Sequence, residues 1–214
     1  MKQFVNSCGD TITRIGERHN IRFLIYNPIT WARFLTSSRH GGRIFSQVVT
    51  DMFPNVRTCL DVGSGAGGYV YWLKRRNLHA IGVEHSRSGR LIAQLQGALT
   101  LPFDCGREDM CPQLGPFDLV YSIEVAEHIP KSLEDNFVDY IASQGRFVIF
   151  SAAQPNQPGQ GHINCQPLEH WREAFSERGF SFSDDETSEF RARIHDFGFK
   201  GVLPRNCQIF RRCD

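Results

Sequence analysis

Apolar positions first fall into register at Ile44, Val48, Val49 and Met52, the spacing of one helix face, and Pro54-Asn55 closes that segment. A β-rich run, Val56–Val62, follows and ends at glycines. From there the period switches repeatedly. A helical pattern covers Tyr69–Arg76, a buried strand Ala80–Glu84, a helix Arg90–Leu99, a weak strand Leu101–Asp109 and a strong one Phe117–Ile123. Then come helix Leu133–Ala142, strand Arg146–Ser151, helix Leu168–Arg178 ended by Gly179, and strands Phe180–Ser183 and Gln208–Arg211. Alternation sustained for about 120 residues predicts an α/β fold, a doubly wound, mostly parallel sheet with helices on both faces. Ligands on such sheets bind beyond the carboxyl ends of the strands. The longest stretch without an evident element is Ala152–Pro167, whose Pro, Gly, Gln and Asn content marks a loop of functional length.

The first 40 residues stand apart from this pattern. Ile21–Tyr26 is apolar, Pro28 interrupts it, Trp31–Leu35 fits one or two helical turns, and Ser37-Ser-Arg-His-Gly-Gly42 reads as a turn. We therefore divide the chain into an N-terminal segment, 1–42, on the substrate side, and a larger domain, 43–214.

A length of 214 residues fits one large domain, and 41% apolar with 22% charged residues lets it bury a core without metal or disulfide staples. The net charge of +1 offers no field for nucleic acid or a membrane surface. Seven cysteines, an odd number with no CxxC spacing, argue against a secreted disulfide framework and a zinc site. The N-terminus lacks the apolar core of a signal peptide and no run reaches membrane-span length, so a cytoplasmic protein is expected.

The chemistry gathers at strand ends. Asp61-Val-Gly-Ser-Gly-Ala-Gly67 places glycines between a strand and a helix, where the backbone can approach a ligand closely and free N–H groups are offered. Gly63, Gly65 and Gly68 also spell the dinucleotide GxGxxG, and Glu84 stands where a ribose-binding acid would, so the turn by itself fits two cofactors. Asp61 separates them: a buried carboxylate there repels a pyrophosphate and suits a ligand carrying an ammonium group. The long N-terminal segment and Ser122-Ile-Glu-Val-Ala-Glu-His128 likewise have no place in a dehydrogenase.

Together these residues resemble the class I S-adenosylmethionine (SAM)-dependent methyltransferases over about residues 43–211. Cys59–Gly67 resembles their first motif, Glu84 their ribose-binding acid, Glu108-Asp109-Met110 their adenine-contacting segment and Phe117–His128 their fourth-strand motif. Phe150–Asn164, with Gln166 and Trp171, is similar to a methyltransferase-domain subgroup with a GHxN loop after the fifth strand. The resemblance implies strand order 3-2-1-4-5-7-6 with the last strand antiparallel. It also implies SAM as cofactor, S-adenosylhomocysteine as product and a small-molecule acceptor.

The expected cofactor residues are Asp61 on the methionine ammonium, the turn Gly63, Ser64, Gly65 and Gly67, Glu84 on the ribose hydroxyls with His85 beside it, Asp109 on the adenine amino group, Met110 on the ring, and Ser122 and Glu124 at the central strand's end. His162, in the glycine-flanked loop after the fifth strand, is the expected proton acceptor; His128 either reaches the reacting centre or fixes the loop that follows it. His40 is a candidate to close over the methionine carboxylate. A usable His162 points to O- rather than N-methylation. No metal is expected, nor nucleic acid or membrane partners, and the protein is expected to be a monomer or homodimer. A nicotinamide oxidoreductase and a non-catalytic SAM-binding domain are the alternatives.

Overall fold

In the computed structural model, residues 28–213 are described, with side chains from Phe34 onward. The apolar run Ile21–Tyr26 lies outside them. Helix α1, Pro28–Met52, leads into β1, Thr58–Val62. The units α2 (Gly68–Arg75), β2 (His79–Glu84), α3 (Arg87–Leu95) and β3 (Thr100–Pro102) follow. After β4 (Leu119–Ile123) come α4 (Glu134–Ser143), β5 (Phe147–Ser151), α5 (Leu168–Ser176) and β6 (Phe180–Phe182). Helix α6 (Asp184–Asp196), the short α7 (Leu203–Asn206) and β7 (Gln208–Arg212) complete the chain.

The strands form one seven-stranded sheet in the order β3-β2-β1-β4-β5-β7-β6. Strands β1 to β5 pair in parallel, and β7 runs antiparallel to both β5 and β6. This is the order that the resemblance to class I methyltransferases implies. Alternate residues of each strand feed two cores, as the period of two requires. Cys59, Leu119, Tyr121, Ile149 and Ile209 join Phe45, Val48, Val70, Leu73, Phe190 and Ile194 of α1, α2 and α6. Leu60, Val62, Val120, Val148 and Phe210 join Phe137, Ile141, Trp171 and Phe175 of α4 and α5 on the other face.

Three expectations are corrected. Ser37–Gly42 is not a turn but the middle of α1, so the boundary drawn at residue 42 falls inside a continuous helix of 25 residues. Its glycines serve contact rather than chain reversal: a Cβ on Gly42 would stand 2.7 Å from the Gly68 carbonyl oxygen, and one on Gly68 2.3 Å from Ser38 Oγ. Helix α3 begins at Arg87, earlier than Arg90, because the Ser86 side chain accepts from Gly89 N–H, and it stops at Leu95, ahead of Gly97 at φ 81°. The weak strand Leu101–Asp109 is only Thr100–Pro102, after which the chain turns through the 3₁₀ segment Glu108–Met110. Residues 184–207, which carry no element in the sequence reading, hold α6 and α7.

The six cysteines among the described residues are free thiols, and burial pushes Cys59 and Cys207 up to about 12. Among the described residues no helix is long and apolar enough to cross a membrane.

Candidate functional site

The glycine turn sits at the carboxyl end of β1. Gly63, Gly65 and Gly67 all have positive φ, 84°, 54° and 76°, a backbone that other residues adopt at a cost. The turn is clamped from below by Gly63 and Ser64 N–H donating to Val83 O, at 2.9 and 3.0 Å. Val125, just beyond β4, lies so close that a Cβ on Gly63 would meet its methyl groups at 2.6–2.7 Å. The turn and the segment after β4 are therefore one packed unit.

Asp61 is 3% exposed at the sheet's carboxyl edge. Burial pushes its carboxyl well above the usual carboxylate range; neighbouring Tyr121 favours the charged form and the Glu84 carboxylate opposes it. The Tyr121 hydroxyl is buried without a hydrogen bond of full geometry. Asp61 and Tyr121 together make a polar spot in an apolar sheet, arranged to gain from an incoming cationic donor.

Glu84 does more than the sequence suggests. Its two carboxylate oxygens accept from Gly65 N–H at 2.9 Å and Ser86 N–H at 2.6 Å, tying β2 to the glycine turn. Each oxygen keeps a second lone pair for a hydroxyl donor. Burial raises its pKa, and those two N–H groups work against the rise. Gln96 adds a hydrogen bond from its side-chain amide to Ala66 O.

The remaining expected cofactor residues divide by exposure. Ser64 is buried, with Oγ 3.4 Å from Thr100 Oγ1. Ser122 is fully buried and donates to Val62 O at 2.8 Å, so its hydroxyl joins β4 to β1. His85 is exposed and stands 3.6 Å from Asp104. Asp109 is exposed and paired with Arg107 at 2.8 Å, while Met110 is half-buried. His40 is exposed on α1.

A second constellation forms where the turn after β4 meets the loop after β5. Glu124 has φ 55°, a strained value for a side chain of its length. Its carboxylate accepts from Asn206 Nδ2 at 3.1 and 3.2 Å and from Gln157 Nε2 at 3.4 Å. Glu127, in the 3₁₀ segment Ala126–His128, is fully buried; among the described residues its carboxylate makes no hydrogen bond of full geometry, while its own N–H, the Ala153 N–H and the Glu124 carboxylate lie near it. Burial, and then the Glu124 charge, push its carboxyl up to about 8. His128 Nδ1 lies 3.0 Å from Gly161 O, and burial pushes the ring down to about 4. His162 Nδ1 lies 3.2 Å from Gln157 O, and its Nε2 lies 3.9 Å from Glu127 Oε1. The two imidazoles meet edge to face, 5.1 Å between centroids.

The backbone fixes this cluster. Ile163 and Asn164 N–H donate to Glu127 O at 2.8 and 3.0 Å. Asn164 Nδ2 donates to Glu134 Oε2 at 2.7 Å, and Glu134 Oε1 accepts from Lys131 at 2.7 Å and His170 at 2.6 Å. Burial would raise Glu134, but these three donors hold it below its ordinary value. Gly159 covers the His162 ring: a Cβ there would lie 2.0 Å from Nε2 and 2.1 Å from Cε1. Sequence reasoning names neither Asn206 nor Gln157 nor Gly159, which hold Glu124 or cover His162. Gln157 and Gly159 lie in an irregular segment and Asn206 ends a helix of one turn, so none of them carries a periodic signal.

The profile of the methyltransferase-domain family matches residues 37–202. The chain belongs to that family, and its fold is that of the class I, SAM-dependent enzymes. Among solved structures, the SAM-bound magnesium protoporphyrin IX methyltransferase of Synechocystis is 15% identical, with a TM-score of 0.58 over 95% of this chain and 96% of that one. The sugar N-methyltransferase of a Streptoalloteichus species is 15% identical, with a TM-score of 0.61 over 81% and 87%. The O-methyltransferase of a Brevibacillus brevis polyketide multienzyme, in complex with S-adenosylhomocysteine, is 14% identical, with a TM-score of 0.59 over 90% and 80%. At these identities the likeness is one of fold, and these proteins differ among themselves in the atom they methylate.

Proposed function

We propose that this methyltransferase acts on a hydroxyl oxygen of a small-molecule acceptor, bound over the carboxyl ends of β4 and β5. The residues fit SAM: the positive-φ glycine turn admits a ligand against backbone, Asp61 with the buried Tyr121 hydroxyl beside it suits an ammonium, and Glu84 has lone pairs for ribose hydroxyls. Asp109 and Met110 would border the adenine, and His85 the rim of the pocket. When bound, SAM supplies an electrophilic methyl group on a sulfonium.

The observation that carries the oxygen assignment is His162. Gln157 O can only accept, so Nδ1 holds the hydrogen and Nε2 keeps its lone pair, in a half-buried loop that is hydrogen-bonded to the segment after β4. An amine needs only to arrive neutral, whereas a hydroxyl gains from a proton acceptor at this position. Glu127 Oε1 lies 3.9 Å from Nε2. His128, held on Gly161 O, keeps the loop in place. Positioning of the acceptor against the methyl group supplies most of the rate, an effect worth up to roughly 7–11 kcal/mol when alignment is full.

The test combines calorimetry with transfer of a labelled methyl group to hydroxylated and amino acceptors, sugars and phenols among them. S-adenosylhomocysteine should bind, and Asp61→Asn should abolish that binding. Hydroxyl acceptors should be labelled, and His162→Ala should reduce the rate by about 10²–10⁴-fold, the range of general-base catalysis. Labelling of amines alone, or full turnover by His162→Ala, overturns the oxygen assignment. Binding of NAD without S-adenosylhomocysteine overturns the cofactor.

A further inference from the structure

We infer that Glu127, His128 and His162 form a binding site for one divalent first-row transition-metal ion. Its remaining coordination positions face the acceptor, so the inference rests on the acceptor oxygen lying at this cluster, as proposed above. It departs from the metal-free expectation of the sequence.

Geometry comes first. One ligand atom from each of the three residues lies within 4.8 Å of the others. With metal–ligand bonds of about 2.0–2.2 Å, two ligands at a tetrahedral angle on one ion lie about 3.3–3.6 Å apart. His162 Nε2 and Glu127 Oε1, at 3.9 Å, are a little wider than that spacing, and an ion would draw them together.

The tautomers are set for ligation. Both imidazoles face a backbone carbonyl through Nδ1, at 3.0 Å from Gly161 O and 3.2 Å from Gln157 O. A carbonyl accepts and cannot donate, so in both rings the lone pair falls on Nε2. An imidazole whose other N–H is spent on a carbonyl is the usual form of a metal-binding histidine. Cys165 Sγ, 3.6 Å from His162 Nδ1, sits on the opposite edge of that ring.

The carboxylate points the same way. Glu127 is fully buried, and among the described residues neither oxygen makes a hydrogen bond of full geometry. A buried polar group left short of partners is costly, more so when charged, and is retained where it has another use. The Glu124 carboxylate beside it adds negative charge. Meanwhile Ile163 and Asn164 N–H hold the Glu127 carbonyl, so both ligand-bearing segments keep a fixed separation. Two nitrogens and one oxygen suit Mn²⁺, Fe²⁺, Co²⁺ or Zn²⁺ rather than Mg²⁺ or Ca²⁺. Three protein ligands leave at least one position for an acceptor hydroxyl, which the ion would orient and acidify. In the ion-loaded enzyme His162 then acts as a ligand.

The probe is Mn²⁺ alone, chosen because cysteine thiols compete weakly for it. Full-length protein is treated with EDTA, desalted and titrated while the free Mn²⁺ resonance is followed by electron paramagnetic resonance. One equivalent should bind. Glu127→Gln, nearly isosteric, and His162→Ala, on a half-buried loop, should each weaken it by roughly 100-fold or more, since losing even an outer-shell partner costs about 10–100-fold. S-adenosylhomocysteine affinity within about twofold of wild type shows that each variant is folded. Absence of saturable uptake, or uptake by both folded variants as tight as wild type, overturns the site. Mn²⁺ uptake combined with labelling of amines alone keeps the site and removes the oxygen assignment. Hydroxyl labelling without Mn²⁺ uptake, undiminished by EDTA, does the reverse.

Discussion

The contact between α1 and α2 sets two energies of opposite sign against each other at Gly42. Replacing a mid-helix glycine by alanine ordinarily favours the helix by roughly 0.5–1 kcal/mol. At Gly42 the new Cβ would stand 2.7 Å from the Gly68 carbonyl oxygen, 3.0 Å from its carbon and 3.0 Å from Tyr69 Cα. All three are backbone atoms, so no side chain can rotate away and the helices must part. That motion carries the buried Ile44, Phe45, Val48 and Val49 with it. Overpacking costs about 1–3 kcal/mol, and a backbone clash belongs in the upper half of that range. Gly42→Ala should therefore destabilise by about 1–2.5 kcal/mol net, or roughly 2–10 °C in Tm for a domain of this size. Gly41 is the internal control. Its Cβ would meet Phe199 Cε2 and Tyr69 Oη at 2.9 Å, the ends of rotatable side chains, so Gly41→Ala should be near neutral. Urea unfolding of both variants and wild type, fitted with a common m-value, measures the difference. Because Gly68 follows the cofactor turn directly, Gly42→Ala should also weaken S-adenosylhomocysteine binding. A Gly42→Ala protein as stable as wild type, or a Gly41→Ala protein that loses more, refutes the claim that backbone approach dictates these glycines.

Two further predictions concern the loop after β5. Gly159→Ala places a methyl group over the His162 ring and should displace the imidazole, lowering labelling of hydroxyl acceptors at least about 100-fold, the usual consequence of a ~1 Å misplacement. Its S-adenosylhomocysteine affinity should stay within twofold; unchanged labelling, measured beside calorimetry, would show that the ring is not held by this contact. Glu134→Gln should destabilise the fold at pH 7 by about 1.5–3 kcal/mol, the range for hydrogen bonds to a charged group. Because the folded-state pKa of Glu134 lies below its ordinary 4.5, this stability is present above that value and lost as pH falls through the folded pKa. The gap between wild type and variant in urea unfolding should thus shrink toward acid, and an equal gap at pH 7 and pH 3.5 would refute it.

How far the fold is legible depends on what each element buries. Strands β1, β2, β4 and β5 are largely apolar and almost wholly buried because both faces of the sheet are covered, and such segments stand out in a sequence. Helix α6 shows the opposite case. Only Thr187, Phe190 and Ile194 are buried in its 13 residues, and the rest is charged or exposed, so its apolar stripe is too thin to register. Its acidic first turn, Asp184-Asp-Glu186, and its basic last turn, Arg193 and His195, complement the helix dipole and were the available signal. The paired glycines of α1 misled for a different reason. Gly-Gly commonly marks a turn, yet the same lack of a side chain is what lets two helices touch, and only the position of α2 decides between the two uses.

The site divides along the same line. Asp61, the glycine turn and Glu84 are legible because local geometry requires them: a strand end, a positive-φ turn and the next strand's end. Glu127 is not, because Glu-His is an ordinary dipeptide whose meaning depends on what lies across from it. The sequence places His162 in a loop 34 positions beyond His128 and gives no reason for the two to meet. They meet because Glu127 O takes the N–H groups of Ile163 and Asn164, and Gly161 O takes His128 Nδ1–H, so each segment supplies the other's missing hydrogen bonds. Those exchanges satisfy every named backbone group and leave the buried Glu127 carboxylate without a full hydrogen bond among the described residues. An apolar residue in its place would remove that cost, which marks this residue as the place where the structure gives up stability for chemistry.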